Sequence, residues 1–228
     1  MIGSSKFAGG LLALSALLWI FMIAAWPFLI GPRESASTDE MTLVVERAAH
    51  LLDKQAFYRG IWIVEALGAM GTAIAGLILI HRQETNDGIA PIGWASVGVG
   101  SIVYVAMYGV MLGSYWPAAQ AATNNPAILA AAITGAMSLF YLSNIALNAG
   151  FTLTFIAEAR CPHLAIPQWL AWFGAVLSAL ALAATSFGLF AAPTVSSVGS
   201  LDATALIAVV HFAAIAVFGF GISRAPRH

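Results

Sequence analysis

Glu65, His211 and the set Tyr141, Asn144 and Asn148 are the residues of this sequence whose chemistry asks for a reason, because each falls inside a long apolar run. Carboxyl, imidazole and amide groups are costly in hydrocarbon, and where they occur they mark binding sites, proton relays or interhelical bonds. Glu65 sits four or five residues past Arg59-Gly60, about 7 Å into its run at the helical rise. Arg59 is six residues away and lies on another helical face, so it is no i,i+4 partner. Glu65 therefore needs water or a group on another helix. An interhelical hydrogen bond near the rim is the preferred reading, and a ligand or proton-handling role is the alternative.

His211 lies mid-run, about nine residues beyond Asp202, while His50, His81, His163 and His228 fall in loops or at ends. Haem ligation by two histidines is thus unsupported, and a neutral imidazole bonded to a neighbouring helix is preferred. Proximity of His211 to Glu65 is a hypothesis for the structure. Tyr141, Asn144 and Asn148 are spaced three and four apart and share one helical face, with Ser138 one step further. Such a stripe glues helices together or edges a cavity, and Tyr104 with Tyr108 is a candidate partner face. Glu65, Tyr141, Asn144, Asn148 and His211 are the candidate ligand-binding residues; no catalytic residue and no metal ligand is assigned.

Missing residues exclude several chemistries. Lys6 and Lys54 both lie outside the apolar runs, so a retinal Schiff base has no lysine. Neither HExxH nor GxSG occurs, and the histidine clusters of di-iron membrane oxygenases are absent. Cys161 is the single cysteine, which rules out an intrachain disulfide and any CxxC site. An enzyme is the least favoured class.

The elements that must position these groups are membrane spans. Of 228 residues, 61% are hydrophobic and 8% charged, against about a quarter charged in soluble domains. A chain so poor in charge cannot clothe itself for water. Six runs reach the roughly 20 residues that cross a bilayer: 7–30, 60–80, 92–115, 128–157, 169–190 and 203–222. The first is too long for a signal-peptide core and is read as retained. Helix is the geometry that satisfies the backbone in lipid. The fold class is therefore an all-α polytopic membrane bundle of six transmembrane helices, one domain over 1–228.

An amphipathic helix over about 38–59 is expected on the outer surface before the second span. Ser37 and Glu40 suit a capping box, and Val45, Ala48, Ala49, Leu52 and Ala56 form its apolar face. Trp94, Trp116 and Trp169 fall near span ends and suit interfacial anchoring. Lys6, Arg82, Arg160, Arg224 and Arg227 share one side, whereas the loops 116–127 and 191–202 carry no basic residue and the first outer loop offsets Arg33, Arg47, Lys54 and Arg59 with Glu34, Asp39, Glu40, Glu46 and Asp53. Both termini are expected in the cytoplasm of a bacterium, with the chain in the inner membrane. Net charge is −1, without the clustered cations that nucleic acid requires.

Small residues recur as Gly109-x-x-x-Gly113, Gly68 with Thr72 and Gly76, and Gly219-x-Gly221. They suit close helix contacts, within the bundle or with other subunits. Tyr58-Arg59-Gly60 at the start of the second span, and Leu164-x-x-Pro167-x-Trp169-Leu170 with Gly174 at the fifth, resemble the bacterial six-span proteins of domain-of-unknown-function family 4386. That resemblance implies a six-span fold and no activity, and the chain departs from it at His163 and Gln168, where arginine is usual. The preferred function is a non-catalytic accessory or scaffold subunit packing against partner membrane helices or a second copy. The alternative is a binder of a small amphipathic molecule in an intrabundle cavity. No cofactor is expected; a bound lipid, quinone or pigment belongs to that alternative.

Overall fold

The computed structural model describes residues 2–30, 39–81, 88–161, 165–190 and 203–225. Among these, seven helices occur and no strand: α1 Ile2–Leu29, α2 Glu40–Asp53, α3 Gln55–Leu79, α4 Ile89–Ala121, α5 Pro126–Arg160, α6 Gln168–Phe190 and α7 Ala203–Arg224. All but α2 are long and apolar enough to cross a bilayer. The fold is an all-α helical bundle, and the chain is an integral membrane protein.

The six long helices form a ring in chain order. α3 packs on α4, α4 on α5, α5 on α6, and α1 lies between α3 and α7; a light α6–α7 contact closes the circle. Sequential elements are neighbours, as short connections favour. Glycines set the closest approaches. A Cβ on Gly150 of α5 would lie 2.7 Å from the Gly93 carbonyl oxygen of α4, and one on Gly219 of α7 would lie 2.7 Å from that of Gly9 in α1. Ser96 Oγ adds a bond across α4–α5, donating to the Ala146 carbonyl at 2.7 Å.

Buried side chains gather in two apolar clusters. One contains Val44, Leu51, Tyr58, Trp62, Tyr108 and Trp116, on the α2 side. The other contains Leu12, Leu79, Trp94, Phe155, Phe218 and Ile222, towards the opposite end. At about 1.5 Å per residue, the 33 residues of α4 and 35 of α5 outreach a hydrocarbon core of about 30 Å. Their joined ends give α2 a wall to pack against.

The α2 helix differs from expectation in three respects. It ends at Asp53, with Lys54 breaking the chain before α3 begins at Gln55, so the surface helix is shorter than 38–59 and the second span starts earlier than residue 60. Its N-cap is Asp39, whose carboxylate accepts from the Thr42 amide at 2.8 Å and hydroxyl at 2.7 Å; Ser37 lies outside the described residues. Its buried face is Val44, Arg47, Ala48 and Leu51, whereas Ala49 and Leu52 are exposed. The apolar residues come in adjacent pairs, Val44-Val45, Ala48-Ala49 and Leu51-Leu52, so two neighbouring faces are equally oily. The pattern alone could not choose between bundle and lipid.

Two of the three tryptophans expected as anchors are core residues. Trp94 stacks on Phe218 at 5.8 Å and Trp116 on Trp62 at 5.4 Å, both buried. Trp169 alone of the three projects outward, 70% exposed. Position along a span fixes a side chain's depth; the helix rotation decides whether it meets lipid or protein.

Candidate functional site

Three polar knots lie inside the ring, each tying different helices. Glu65 of α3 is buried and hydrogen-bonded by Trp26 of α1 and Tyr108 of α4. Indole N–H and phenol O–H are donors, so the carboxyl oxygens accept both. Asn144 of α5 donates from Nδ2 to the Tyr104 hydroxyl of α4 at 2.8 Å and to the Phe140 carbonyl at 2.9 Å. His211 of α7 pairs through Nε2 with Ser178 Oγ of α6 at 2.8 Å.

The His211 tautomer follows from where the Ser178 proton goes. Ser178 has one hydroxyl proton, and its Oγ lies 2.9 Å from the Gly174 carbonyl, which can only accept. With that proton on Gly174, the serine oxygen accepts from His211 Nε2–H. The imidazole then keeps its lone pair on Nδ1.

Between the second and third knots lies a cavity of about 30 Å³. Thr72, Ser101, Tyr104, Asn144 and His211 lie around it together with Trp19, Phe151 and Phe212, and the surface it presents is almost wholly apolar. Trp19 stacks on Phe212 at 5.5 Å with ring planes 4° apart, and its edge meets Tyr104 at 5.2 Å. Among the five candidate residues, Asn144 and His211 thus face one space. Glu65 stands behind Tyr108, whose ring stacks on Tyr104 at 5.8 Å, and it does not line the cavity. Tyr141 is half-buried against Phe140, and Asn148 is buried one turn from Asn144; neither lines the cavity.

Several contributors escape a reading by residue type. Ser178, Ser101 and Thr72 look like ordinary small residues of a packed span, and Trp19 was one aromatic among many. The signal for Trp19 was its depth, since tryptophan favours interfaces. Glu158 is fully buried at the far end of α5, where its carboxylate accepts the Ala165 amide and Gln168 Nε2 donates to the Ala159 carbonyl at 3.0 Å. These bonds hold the turn into α6.

Comparison with family models, curated proteins and solved structures finds no match to this chain. What the fold and site define is a class: an integral membrane protein of six long apolar helices in a ring, with a few polar pairs inside an otherwise apolar interior.

Proposed function

We propose that this protein is a non-catalytic accessory subunit of a membrane assembly, which docks a transmembrane helix of a partner on the outward face of α4. The observation that carries this reading is at Gly109 and Gly113. A Cβ built on either meets nothing within 4 Å, whereas Gly76, Gly93 and Gly100 of α3 and α4 are filled by neighbouring helices. Ala106 and Pro117 lie exposed on the same face, with Ile102 and Val110 beside them at 51% and 40% exposure. In lipid, a small-xxx-small face lets a second backbone approach closely, and packing rather than hydrophobicity holds the pair. Inside the bundle glycines bring backbones together at the α3–α4, α4–α5 and α1–α7 contacts; on α4 one pair is left over.

The carrier reading draws less support. A cavity of about 30 Å³ is far below the several hundred Å³ of a pocket for a lipid, quinone or pigment. The same proposal includes a bacterial inner membrane with cytoplasmic termini, supported by the side shared by Lys6, Arg160 and Arg224, and kinship with the six-span family named above.

Gly109→Leu with Gly113→Leu tests the docking face, because both positions open onto space. Extracted with native lipids into mild detergent, the unaltered protein is expected to migrate as an assembly larger than one chain. The double variant is expected to migrate as a monomer with unchanged thermal unfolding. An assembly of unchanged size, or a wild type that is always a lone chain, would refute the reading.

A further inference from the structure

Two cations and two oily rows meet on the outside of the α1–α7 pair, at the end of the bundle where α1 begins and α7 ends. The register of the pair places them. A Cβ on Gly9 would lie 2.7 Å from the Gly219 carbonyl oxygen and 2.8 Å from the Ser223 nitrogen. One on Gly219 would lie 2.7 Å from the Gly9 carbonyl oxygen and from the Ala13 nitrogen. Gly9 therefore faces the turn 219–223 and Gly219 the turn 9–13, so the helices run antiparallel with residue 9 level with 221. Three residues further out on each, Lys6 is level with Arg224.

Both cations also head outward-facing rows. Arg224 is exposed and is followed down α7 by Phe220 and Val217, four and then three residues away, at 43% and 45% exposure. Lys6 is half-buried and is followed down α1 by Gly10, Leu14 and Leu17 at the same kind of spacing. Leu14 and Leu17 are exposed, and a Cβ on Gly10 would meet nothing within 4 Å. Each row is thus a cation at the rim with a lipid-facing apolar strip beneath it.

The protein does not neutralise this pair. Neither α1 nor α7 contains an acidic residue. Among the described residues at that end the one acid is Glu158, fully buried with its carboxylate accepting the Ala165 amide. No ion pair to Lys6 or Arg224 occurs among the described residues. A phosphodiester at headgroup depth matches the vacancy in charge, because a guanidinium grips phosphate oxygens bidentately and an ammonium takes another. Basic sites between transmembrane helices bind anionic headgroups in this way. A zwitterionic lipid would carry its own ammonium to the same place.

We propose that Lys6 and Arg224 form a binding site for one anionic phospholipid of the leaflet at this end. Its phosphate lies between the two cations, and an acyl chain runs along the strip opened by Gly10. The site is outside the ring and independent of the docking face on α4.

Native mass spectrometry of the full chain in detergent tests this, with phosphatidylglycerol and phosphatidylcholine of matched acyl chains as probes. The unaltered protein is expected to retain one phosphatidylglycerol, with a preference over phosphatidylcholine of about fivefold or more, the scale of one lysine or arginine at an anionic lipid surface. Lys6→Gln and Arg224→Gln are each expected to weaken phosphatidylglycerol binding about fivefold, and together to abolish the preference. Arg160→Gln removes an exposed cation of α5 at the same end and is expected to keep it. The single variants decide if the double variant does not fold. Equal retention of the two lipids, or a preference that survives in the folded variants, overturns the proposal. So does a preference lost as fully in Arg160→Gln, which would report only the overall charge of that end, or displacement of the lipid by inorganic phosphate, which would make the site one for a free anion.

Discussion

Glu65, Asn144 and His211 are each anchored by a donor or acceptor on another helix, so truncation leaves the partner stranded. Glu65→Leu removes the acceptor shared by Trp26 and Tyr108 and is expected to cost on the order of 1–3 kcal/mol. Glu65→Gln keeps an acceptor and should cost less. Ser178→Ala strands His211 Nε2, and interhelical bonds in membranes average about 0.6 kcal/mol with a ceiling near 1.7. Unfolding by titrated SDS would rank the three; an order with Ser178→Ala above Glu65→Leu would contradict the assignment of partners. Asp39 adds a pH response at the surface. The Thr42 hydroxyl and amide hold its carboxyl below the usual carboxylate range, so the capping contribution is complete above that range and is lost as pH falls through the lowered value. The protection factor of the Thr42 amide, its exchange rate relative to the intrinsic rate at the same pH, should fall in acid for the wild type, and that of Asp39→Asn, which still caps, should not change with pH. An unchanged wild-type protection factor in acid would show that the cap does not hold the turn. At this scale the sequence disclosed which groups were costly, since Glu65, Asn144 and His211 stand out against apolar neighbours. It did not disclose Ser178 or Ser101, because a hydroxyl on a span can always bond its own backbone and carries no surplus signal.

Helices reveal their length through composition and their rotation hardly at all. A span of about 20 apolar residues is legible because the bilayer thickness fixes it. A helix that is apolar all round has no oily stripe to mark its inner face, so the positions of Trp94 and Trp116 near span ends suit lipid anchoring although both are buried. What does mark the inner face is lost volume. On α5, Gly150 is pressed against Gly93 and Val97 of α4, while Gly135 meets nothing within 4 Å. The two glycines therefore predict opposite signs for one substitution. Gly150→Ala should destabilise by about 1–3 kcal/mol through overpacking, and Gly135→Ala should stabilise by about 0.5–1 kcal/mol through helix propensity. The same SDS titration measures both, and equal signs would mean that α4 and α5 do not meet along this face.

For the molecule as a whole, five of the six contacts in the ring join helices consecutive among the spans, and only α1 with α7 brings the chain ends together. That contact rests on Gly9 and Gly219, whose backbones approach too closely for a Cβ, and on the stacked pair Trp19 and Phe212 beside the cavity. Among the described residues the α6–α7 contact next to it is the lightest in the ring, so α1 is the main helix-to-helix neighbour of α7. A lesion at Gly9 should then release α1 and α7 while the α4–α5 pair, locked by its own glycines and by Ser96, stays closed. Gly10 is the adjacent control, since a Cβ there meets nothing. Gly9→Ala is expected to raise amide exchange in α1 and α7 and to leave α4 and α5 protected; Gly10→Ala is expected to leave all six helices as they are. Protection lost evenly from every helix in Gly9→Ala would mean that the ring opens as one cooperative unit, with its stability shared around the circle and not concentrated where the ends meet.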